Sequence, residues 1–339
     1  MPVTPVSVAF FLFFSSTGVF AGDLFDMLQR MSGADQEHSY QGIFILRKSD
    51  NLSTLKVTHG KDENGVWESL EALNGEPRKV VRRNDKVVSV YPDRELVTIR
   101  HYSTRQPLHP QLPENIEQLE LFYSISQLPD DRIANYPALV VDLIPNDELR
   151  YGYRYWVDKN TGLLLRCDLL AEDDSVVEQM MFTSLEYLAQ APASAFELKQ
   201  YEHYDQQLLD GPAADASHSA PLQWVINTLP KGFVLTQSTM RYTQSSLAEN
   251  AESHAESQGQ TAEMSAKPDL LHLVYSDGLA SVSVFIEKKQ NSQKHLQGAA
   301  TMGAVNAFGN SVEDYFVTVV GEVPEKTVRS MAQSAEKIK

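Results

Sequence analysis

The sequence contains almost no cysteine. Cys167 is the only one among 339 residues, so no disulfide can form within the chain. It follows a leucine-rich stretch, Leu163-Leu164-Leu165-Arg166. That setting favours a small buried side chain over a catalytic thiol, because a reactive thiol needs an electropositive and partly exposed site.

Positive charge is also scarce. Lysine and arginine number 29 against 45 aspartate and glutamate, which leaves a net charge of −16. This balance argues against nucleic acid as a partner, since a nucleic-acid binder must neutralise phosphates with a basic surface. It equally argues against broad electrostatic binding to an anionic membrane. With 42% hydrophobic and 22% charged residues, the chain is globular and long enough for two domains.

Catalytic and metal-binding motifs are missing. The sequence has no HExxH, no GxSxG, no Walker loop and no GxGxxG after a strand, and its nine histidines do not occur at metal-ligand spacing. We therefore predict that the protein is not an enzyme and uses no metal or cofactor. A hydrolase with a dispersed active site stays open as the least supported alternative, because geometry rather than sequence order defines a catalytic triad.

Long apolar runs are confined to the N-terminus. Residues 1–22 resemble a secretory signal peptide, with an apolar core over 8–14 and the small-residue pattern Val19-Phe20-Ala21 before Gly22. The segment has no lysine or arginine, which departs from the usual pattern. Its apolar core is too short to span a bilayer. We therefore expect an exported protein.

The most informative stretch is 150–170, which predicts two strands joined by a tight turn at Asn160 and Gly162. Alternation places one apolar and aromatic set on a single face: Tyr151, Tyr153, Tyr155, Val157, Leu163, Leu165 and Leu169. Such a face is covered either by the protein's own core or by an apolar ligand such as an acyl chain. We call this set the predicted trough.

The order of elements predicts an α+β protein with two domains. A helix over 23–31 precedes closely spaced strands, a second helix over 114–128 and further strands up to 188, which together predict an unclosed antiparallel sheet of about ten strands. We place this first domain at 23–190 and a linker at 191–221, within which 196–209 either forms a short helix or packs on the first domain. A smaller α+β domain follows at 222–339, with a polar disordered excursion at 243–268 and a final helix over 324–338.

A basic cluster stands out against the acidic background. Its members are Arg78, Lys79, Arg82, Arg83 and Lys86. One interpretation is a solvated edge strand protected by charge from aggregation. The other is a site for phosphate groups or an acidic peptide, which arginine binds in bidentate fashion.

Several motifs in order along the chain resemble the RseB/MucB family. In the first domain these are Glu71-x-Leu73-x-Gly75-x-Pro77-Arg78, Tyr155-x-Val157-Asp158-x-x-Thr161-Gly162-Leu163 and Arg166-x-Asp168-Leu169-Leu170. In the second domain they are Leu229-Pro230-x-Gly232-Phe233, Tyr275-Ser276-Asp277-Gly278-Leu279 and Val319-x-Gly321-Glu322-x-Pro324. They extend over nearly the whole chain after residue 22, which makes the set far more specific than any single motif.

The resemblance implies a fold and a function. The fold is an unclosed β-barrel like that of the lipoprotein carriers LolA and LolB, followed by a separate small domain. The function is that of a periplasmic regulator of the sigma-E envelope-stress response. Such a protein binds the periplasmic part of the anti-sigma factor RseA or MucA, shields it from the protease DegS, and releases it when lipopolysaccharide or lipoprotein fragments occupy the large domain. No catalytic residues are known for the family, so the resemblance agrees with the absence of catalytic motifs.

The resemblance also suggests where a partner binds. Its best matched segment in the second domain is Tyr275, Ser276, Asp277 and Gly278, although an Asp-Gly pair can equally close a hairpin. The alternative function is a periplasmic carrier of acyl chains. It would need only the first domain, so the sizeable second domain counts against it. Assembly into a homo-oligomer stays open.

Overall fold

The protein folds into two mainly β domains in a computed structural model that describes residues 21–62, 65–101, 116–209, 223–241, 270–289 and 295–338. The predicted disordered excursion at 243–268 lies outside these ranges, as does the predicted signal peptide apart from Ala21 and Gly22. Within the described residues, no helix is both long enough and apolar enough to cross a membrane.

The first domain is built on one large sheet. Its strands are β1 (Ser39–Lys48), β2 (Asn51–Asp62), β3 (Gly65–Ala72), β4 (Lys79–Arg83), β5 (Lys86–Tyr91), β6 (Leu96–His101), β7 (Tyr123–Ile133), β8 (Tyr136–Pro145), β9 (Gly152–Asp158), β10 (Leu164–Leu170), β11 (Val176–Leu188) and β12 (Asp205–Leu208). Their order across the sheet is β12-β6-β5-β4-β3-β2-β1-β11-β10-β9-β8-β7. The sheet is antiparallel except where β12 joins β6. With β12 and β7 at its two ends it is unclosed, as predicted, and the described residues contribute twelve strands to it instead of about ten.

One face of this sheet is covered by a helix and a short 3₁₀ turn. Helix α1 spans Ala21–Glu37, and the 3₁₀ turn spans Ile116–Leu121. The apolar side of α1 packs on the sheet, with Leu28 fully buried. The predicted end of the helix at Ser32 and Gly33 is wrong. The Ser32 hydroxyl donates to the Gln29 carbonyl at 2.7 Å, so this residue is accommodated within the helix.

Of the predicted second helix over 114–128, residues 116–121 form a 3₁₀ helix, but the part from 123 onward is wrong, because 123–133 form strand β7. Ala134 and Asn135 have φ of 47° and 74°, the left-handed pair that a tight turn between antiparallel strands requires. The segment therefore forms a hairpin with β8 instead of continuing as a helix. Pro129 is tolerated because β7 is an edge strand whose register shifts between Leu128 and Asp131.

The predicted linker is partly structured. Strand β12 pairs in parallel with β6, and two 3₁₀ turns, Ala193–Phe196 and Lys199–Tyr201, precede it. The Phe196 ring lies 5.4 Å from that of Trp67 on β3. Residues up to 209 therefore pack on the first domain, the second of the two alternatives for 196–209.

In its described residues, the second domain consists of an open sheet and one helix. Its strands are β13 (Trp224–Ile226), β14 (Val234–Arg241), β15 (Leu270–Ser276), β16 (Ser281–Lys288), β17 (Gly298–Met302), β18 (Val305–Val312), β19 (Tyr315–Gly321) and β20 (Ala335–Lys337). Six of them form a sheet in the order β14-β15-β16-β19-β18-β17, and β13 pairs with β20. Helix α2 (Glu325–Gln333) buries Val328, Met331 and Ala332 in the core. It is shorter than predicted because 335–337 pair with β13.

Candidate functional site

The predicted trough lies at the centre of the first domain. The register of β9 and β10 sets Tyr153 opposite Leu169 and Tyr155 opposite Cys167 on the face that α1 covers. Only Gly162 of the two predicted turn residues has positive φ, at +79°. None of the seven trough residues is more than 9% exposed: Tyr151, Tyr153, Tyr155, Val157, Leu163, Leu165 and Leu169.

Helix α1 lies directly over this hairpin. A Cβ atom added to Gly162 would come within 3.2–3.4 Å of Arg30 atoms, two of them in the helix backbone. Leu28 of α1 and Leu119 of the 3₁₀ turn are fully buried in the same cluster. In this conformation the protein's own side chains cover the trough, so an acyl chain can enter only if they move.

A cleft of about 820 Å³ borders α1 where such movement would begin. Its apolar lining includes Met27 of α1 and Leu139 of β8, both continuous with the core. Charged side chains stand around it: Asp26, Arg30, Asp130 and Lys159. Polar groups outside and apolar groups inside match the two ends of an amphiphile.

The trough carries hydroxyl and thiol groups in neutral form. The Tyr155 hydroxyl is buried and has no hydrogen-bond partner within the described part of the chain. Burial raises the pKa of Tyr153 and Tyr155 well above the usual value, and it also raises the pKa of the Cys167 thiol. Cys167 is therefore a buried thiol and not a nucleophile.

The predicted basic cluster is on an inner strand. β4 lies between β3 and β5, so the edge-strand interpretation is wrong. Lys79 lies 3.4 Å from Glu71, and Arg82 lies 3.6 Å from Glu68. The Arg83 guanidinium stacks 3.8 Å over the Trp67 ring. Three of the cations are thus engaged within the sheet, and Arg78 and Lys86 are the exposed members.

The four predicted partner-binding residues form the turn between β15 and β16. Ser276 donates to the Ala280 carbonyl at 2.8 Å, and the Asp277 carboxylate accepts from the backbone of Leu279 and Ala280 at 3.0 and 2.8 Å. Tyr275 and Asp277 are buried, whereas Gly278 is exposed and has φ +100°. The segment therefore closes a hairpin, and its carboxylate points into the protein.

That carboxylate meets Arg150 of the first domain. The two side chains form an ion pair and are both fully buried. The Arg150 guanidinium also donates to Asp147 at 3.0 Å and to the Lys231 carbonyl at 2.7 Å. It lies 5.3–5.6 Å from the centroids of three aromatic rings: Phe122, Tyr123 and Phe233. Burial acts to lower the pKa of Arg150, but the hydrogen bonds that it donates to Asp147 and the charge of Asp277 outweigh burial and leave the pKa raised.

Further contacts join the domains around this pair. The Asn306 amide donates to the Tyr151 hydroxyl at 3.0 Å, and the Thr327 hydroxyl donates to the Leu149 carbonyl at 2.6 Å. The Lys326 ammonium lies 2.5 Å from Glu148. Residues 147–151 of the first domain thus bind the second domain at several points. We call this set of contacts the domain clasp.

Both domains of the chain match models of one protein family. A family model of the MucB/RseB N-terminal domain matches residues 23–201, and one of the MucB/RseB C-terminal domain matches residues 218–336. The chain belongs to the MucB/RseB family. The resemblance inferred from the motifs is confirmed.

Relatives in this family are named as regulators. The chain is 30% identical to the sigma factor AlgU regulatory protein MucB of Pseudomonas aeruginosa, over 93% of this chain and 91% of that protein. It is 25% identical to the sigma-E factor regulatory protein RseB of Escherichia coli K12, over 91% and 89%.

Solved MucB/RseB structures share the fold. The complex of P. aeruginosa MucA and MucB matches with a TM-score of 0.68 and 26% identity, over 94% of this chain and 99% of that one. A crystal structure of MucB with MucA(peri) matches with a TM-score of 0.66 and 27% identity, over 93% and 98%.

Sequence reasoning about this MucB/RseB protein missed Arg150. It selected the tyrosine strip that begins one residue later and the Asp277 turn, but not the charge between them. Arg150 and Asp277 are 127 residues apart, so no periodicity links them. Among the described residues, no group of three or more His, Cys, Asp or Glu side chains could hold a metal ion.

Proposed function

We propose that this protein is a non-enzymatic periplasmic regulator that binds the periplasmic part of an anti-sigma factor of the RseA/MucA type. The observation that carries the proposal is the match of both domains to MucB in complexes with MucA, at TM-scores of 0.66 and 0.68. Bound to its partner, the protein shields it from regulated proteolysis and so restrains a sigma-E-type stress response. Secretion through the predicted signal peptide, 1–22, places it in the periplasm.

The release signal in this proposal is a lipid in the large domain, either lipopolysaccharide or a lipoprotein acyl chain. A ligand shifts a binding equilibrium only if it prefers one state over the other. The predicted trough supplies such a preference, because an acyl chain beneath α1 must move side chains that are packed in this conformation. The cleft beside Met27 and Leu139 is the entry route.

The second domain contributes through its position. Because Asp277 is engaged with Arg150, the turn at 275–278 holds the two domains in one orientation. A partner that spans both domains recognises that orientation as well as the exposed part of the turn near Gly278. Arg78, in the predicted basic cluster, remains an exposed candidate for contacts with phosphate groups or an acidic segment.

The direct test is binding of the full chain to the periplasmic segment of the anti-sigma factor from the same organism. Isothermal titration calorimetry would give the affinity and the molar ratio of the two partners, and light scattering of the chain alone would decide whether a homo-oligomer forms. We expect a stable complex that dissociates as lipopolysaccharide is added. Failure to form a complex would refute the proposed function. A complex unaffected by saturating lipopolysaccharide would refute only the release signal.

A second function rests on the apolar face beneath α1. A carrier of acyl chains needs such a face and a way to open it. Transfer of a fluorescently labelled lipoprotein between two vesicle populations by the full chain would favour the carrier. Binding of the anti-sigma segment without transfer would favour the regulator.

A further inference from the structure

The sheet of the first domain has a second apolar layer on the face away from α1. Val57, Leu70 and Val80 are register partners on β2, β3 and β4, and the first two belong to the α1-covered core. The next residue, Val81, faces the other way, and its partner on β5 is Val88. Val88, Val90 and Val97 form a separate buried cluster with Ile99 and three side chains from beyond residue 197: Leu198, Tyr201 and Tyr204.

This layer is covered by residues 192–209, which we call the strap. At one end the Phe196 ring packs on Trp67 at 5.4 Å. At the other, the Asp205 amide donates to the Glu95 carbonyl and the Leu209 amide to the Ile99 carbonyl, both at 2.8 Å. The strap is therefore fixed to the sheet on either side of its middle, which crosses over β5 and β6.

A cavity of about 290 Å³ lies between the strap and the sheet. The sheet side is lined by Val88, Val90, Val97 and Ile99, and the strap contributes Leu198 and Tyr201. Its volume is near the lower end of the range for small-molecule pockets. Gln206, Glu202 and two lysines make the rest of the lining polar. The aliphatic side chains offer water few hydrogen bonds, so that part of the cavity favours an aliphatic segment of a ligand.

Two lysines stand at the rim of this cavity. Lys86 is on the same face of β5 as Val88 and Val90, and Lys199 extends from the strap. Both are exposed, and neither forms an ion pair with any residue in the described ranges. Glu202 is the acidic neighbour, which leaves two positive charges against one. In a chain of net charge −16, such a local excess of positive charge favours an anion.

We propose that the cavity under the strap binds an aliphatic chain that carries an anionic headgroup. The aliphatic chain of the ligand lies between Val90 and Leu198, and its headgroup is held between Lys86 and Lys199. This site is on the opposite face of the sheet from the predicted trough and is independent of it. It goes beyond the proposed regulatory function, since the cavity involves neither α1 nor the domain clasp.

The test is binding of decanoate to the full chain by isothermal titration calorimetry. The charge-reversed variant Lys86→Glu with Lys199→Glu should bind decanoate roughly tenfold more weakly, because it replaces attraction at the rim with repulsion. Decanol, which lacks the charge, should bind both forms equally. The matched control is Lys56→Glu with Lys288→Glu, which reverses two exposed charges away from the cavity. Equal weakening by the control pair would overturn the proposal.

Methyl NMR of the unmodified protein locates the ligand without any variant. Decanoate should shift the methyl signals of Val88, Val90 and Val97 and leave those of Val141 and Val157, beneath α1, unchanged. Shifts confined to Val141 and Val157 would assign decanoate to the trough and overturn the proposal. The absence of any saturable shift would overturn it as well.

Discussion

Arg150 of the first domain and Asp277 of the second form a fully buried ion pair across the boundary between the domains. An isolated charge cannot be buried cheaply, so each side chain needs the other in place. The Lys231 carbonyl and three aromatic rings complete the surroundings of Arg150. We therefore interpret the pair as a determinant of domain orientation more than as a large contribution to the free energy of unfolding.

Asp277→Asn tests this interpretation. Asparagine retains an oxygen for the Leu279 and Ala280 amides, so the turn should persist while the charge facing Arg150 is lost. Asp147 still contacts Arg150, so we expect a loss of about 2–3 kcal/mol, below the about 3–5 kcal/mol typical of a broken buried pair. Urea unfolding measures the loss, and small-angle X-ray scattering should show a broader range of domain orientations.

The control for that variant is Asp130→Asn, which removes the partner of Lys159 in a mostly exposed ion pair. Its cost should be about 0–1 kcal/mol, with unchanged scattering. If Asp277→Asn and Asp130→Asn proved indistinguishable, the domain clasp would have no energetic role.

Gly232→Ala should loosen the same boundary by steric means. Gly232 has φ +89°, and a Cβ there would lie 2.1 Å from the end of the Phe122 ring, which itself packs on Arg150. Gly75→Ala is the matched control, because Gly75 has φ +76° and no atom within 4 Å of the added Cβ. The control should cost about 1–2 kcal/mol for left-handed backbone alone. Denaturant titration should show a larger loss of unfolding free energy for Gly232→Ala than for Gly75→Ala. Equal losses would mean that the clash with Phe122 does not affect stability.

Alternation predicted most of the sheet correctly from local sequence. Tyr153 and Tyr155 do share a face, because strand periodicity is a property of adjacent residues. The errors arose where a local sequence pattern was compatible with both a helix and a strand. Residues 114–128 fit a helix, and only the turn at Ala134 and Asn135 makes the hairpin of β7 and β8 the better one.

The long-range part of the site was beyond sequence reasoning. The motif at 275–279 was recognised, but nothing near it specifies Arg150, which is 127 residues away from Asp277. The cover of the trough was likewise undetermined, since an apolar face looks the same whether a helix or a ligand packs on it. For residues 196–209 the sequence left a short helix and packing on the first domain as alternatives, because the four-residue strand β12 is entirely exposed and shows no apolar alternation.

Leu28→Ala should uncover the hairpin beneath α1. Leu28 is fully buried, and alanine is a good helix former, so the loss reflects packing and not helix propensity. We expect about 2–5 kcal/mol of destabilisation and faster amide exchange in β9 and β10. Gln29→Ala, at an exposed position one residue later, should leave both measurements nearly unchanged. Unaltered exchange in Leu28→Ala would show that α1 does not control access to the trough.

Cys167 makes stability fall at alkaline pH. Burial raises its pKa in the folded state, so above about pH 8.5 the unfolded thiol ionises while the folded one keeps its proton. The unfolded state then binds fewer protons, and the free energy of unfolding should decrease by up to about 1.4 kcal/mol per pH unit from this group. Cys167→Ala should remove that part of the slope when urea unfolding is compared at pH 8 and pH 9.5. Equal slopes in the two proteins would mean that the thiol titrates normally in the folded state, and a thiol-specific reagent would then label the native protein rapidly.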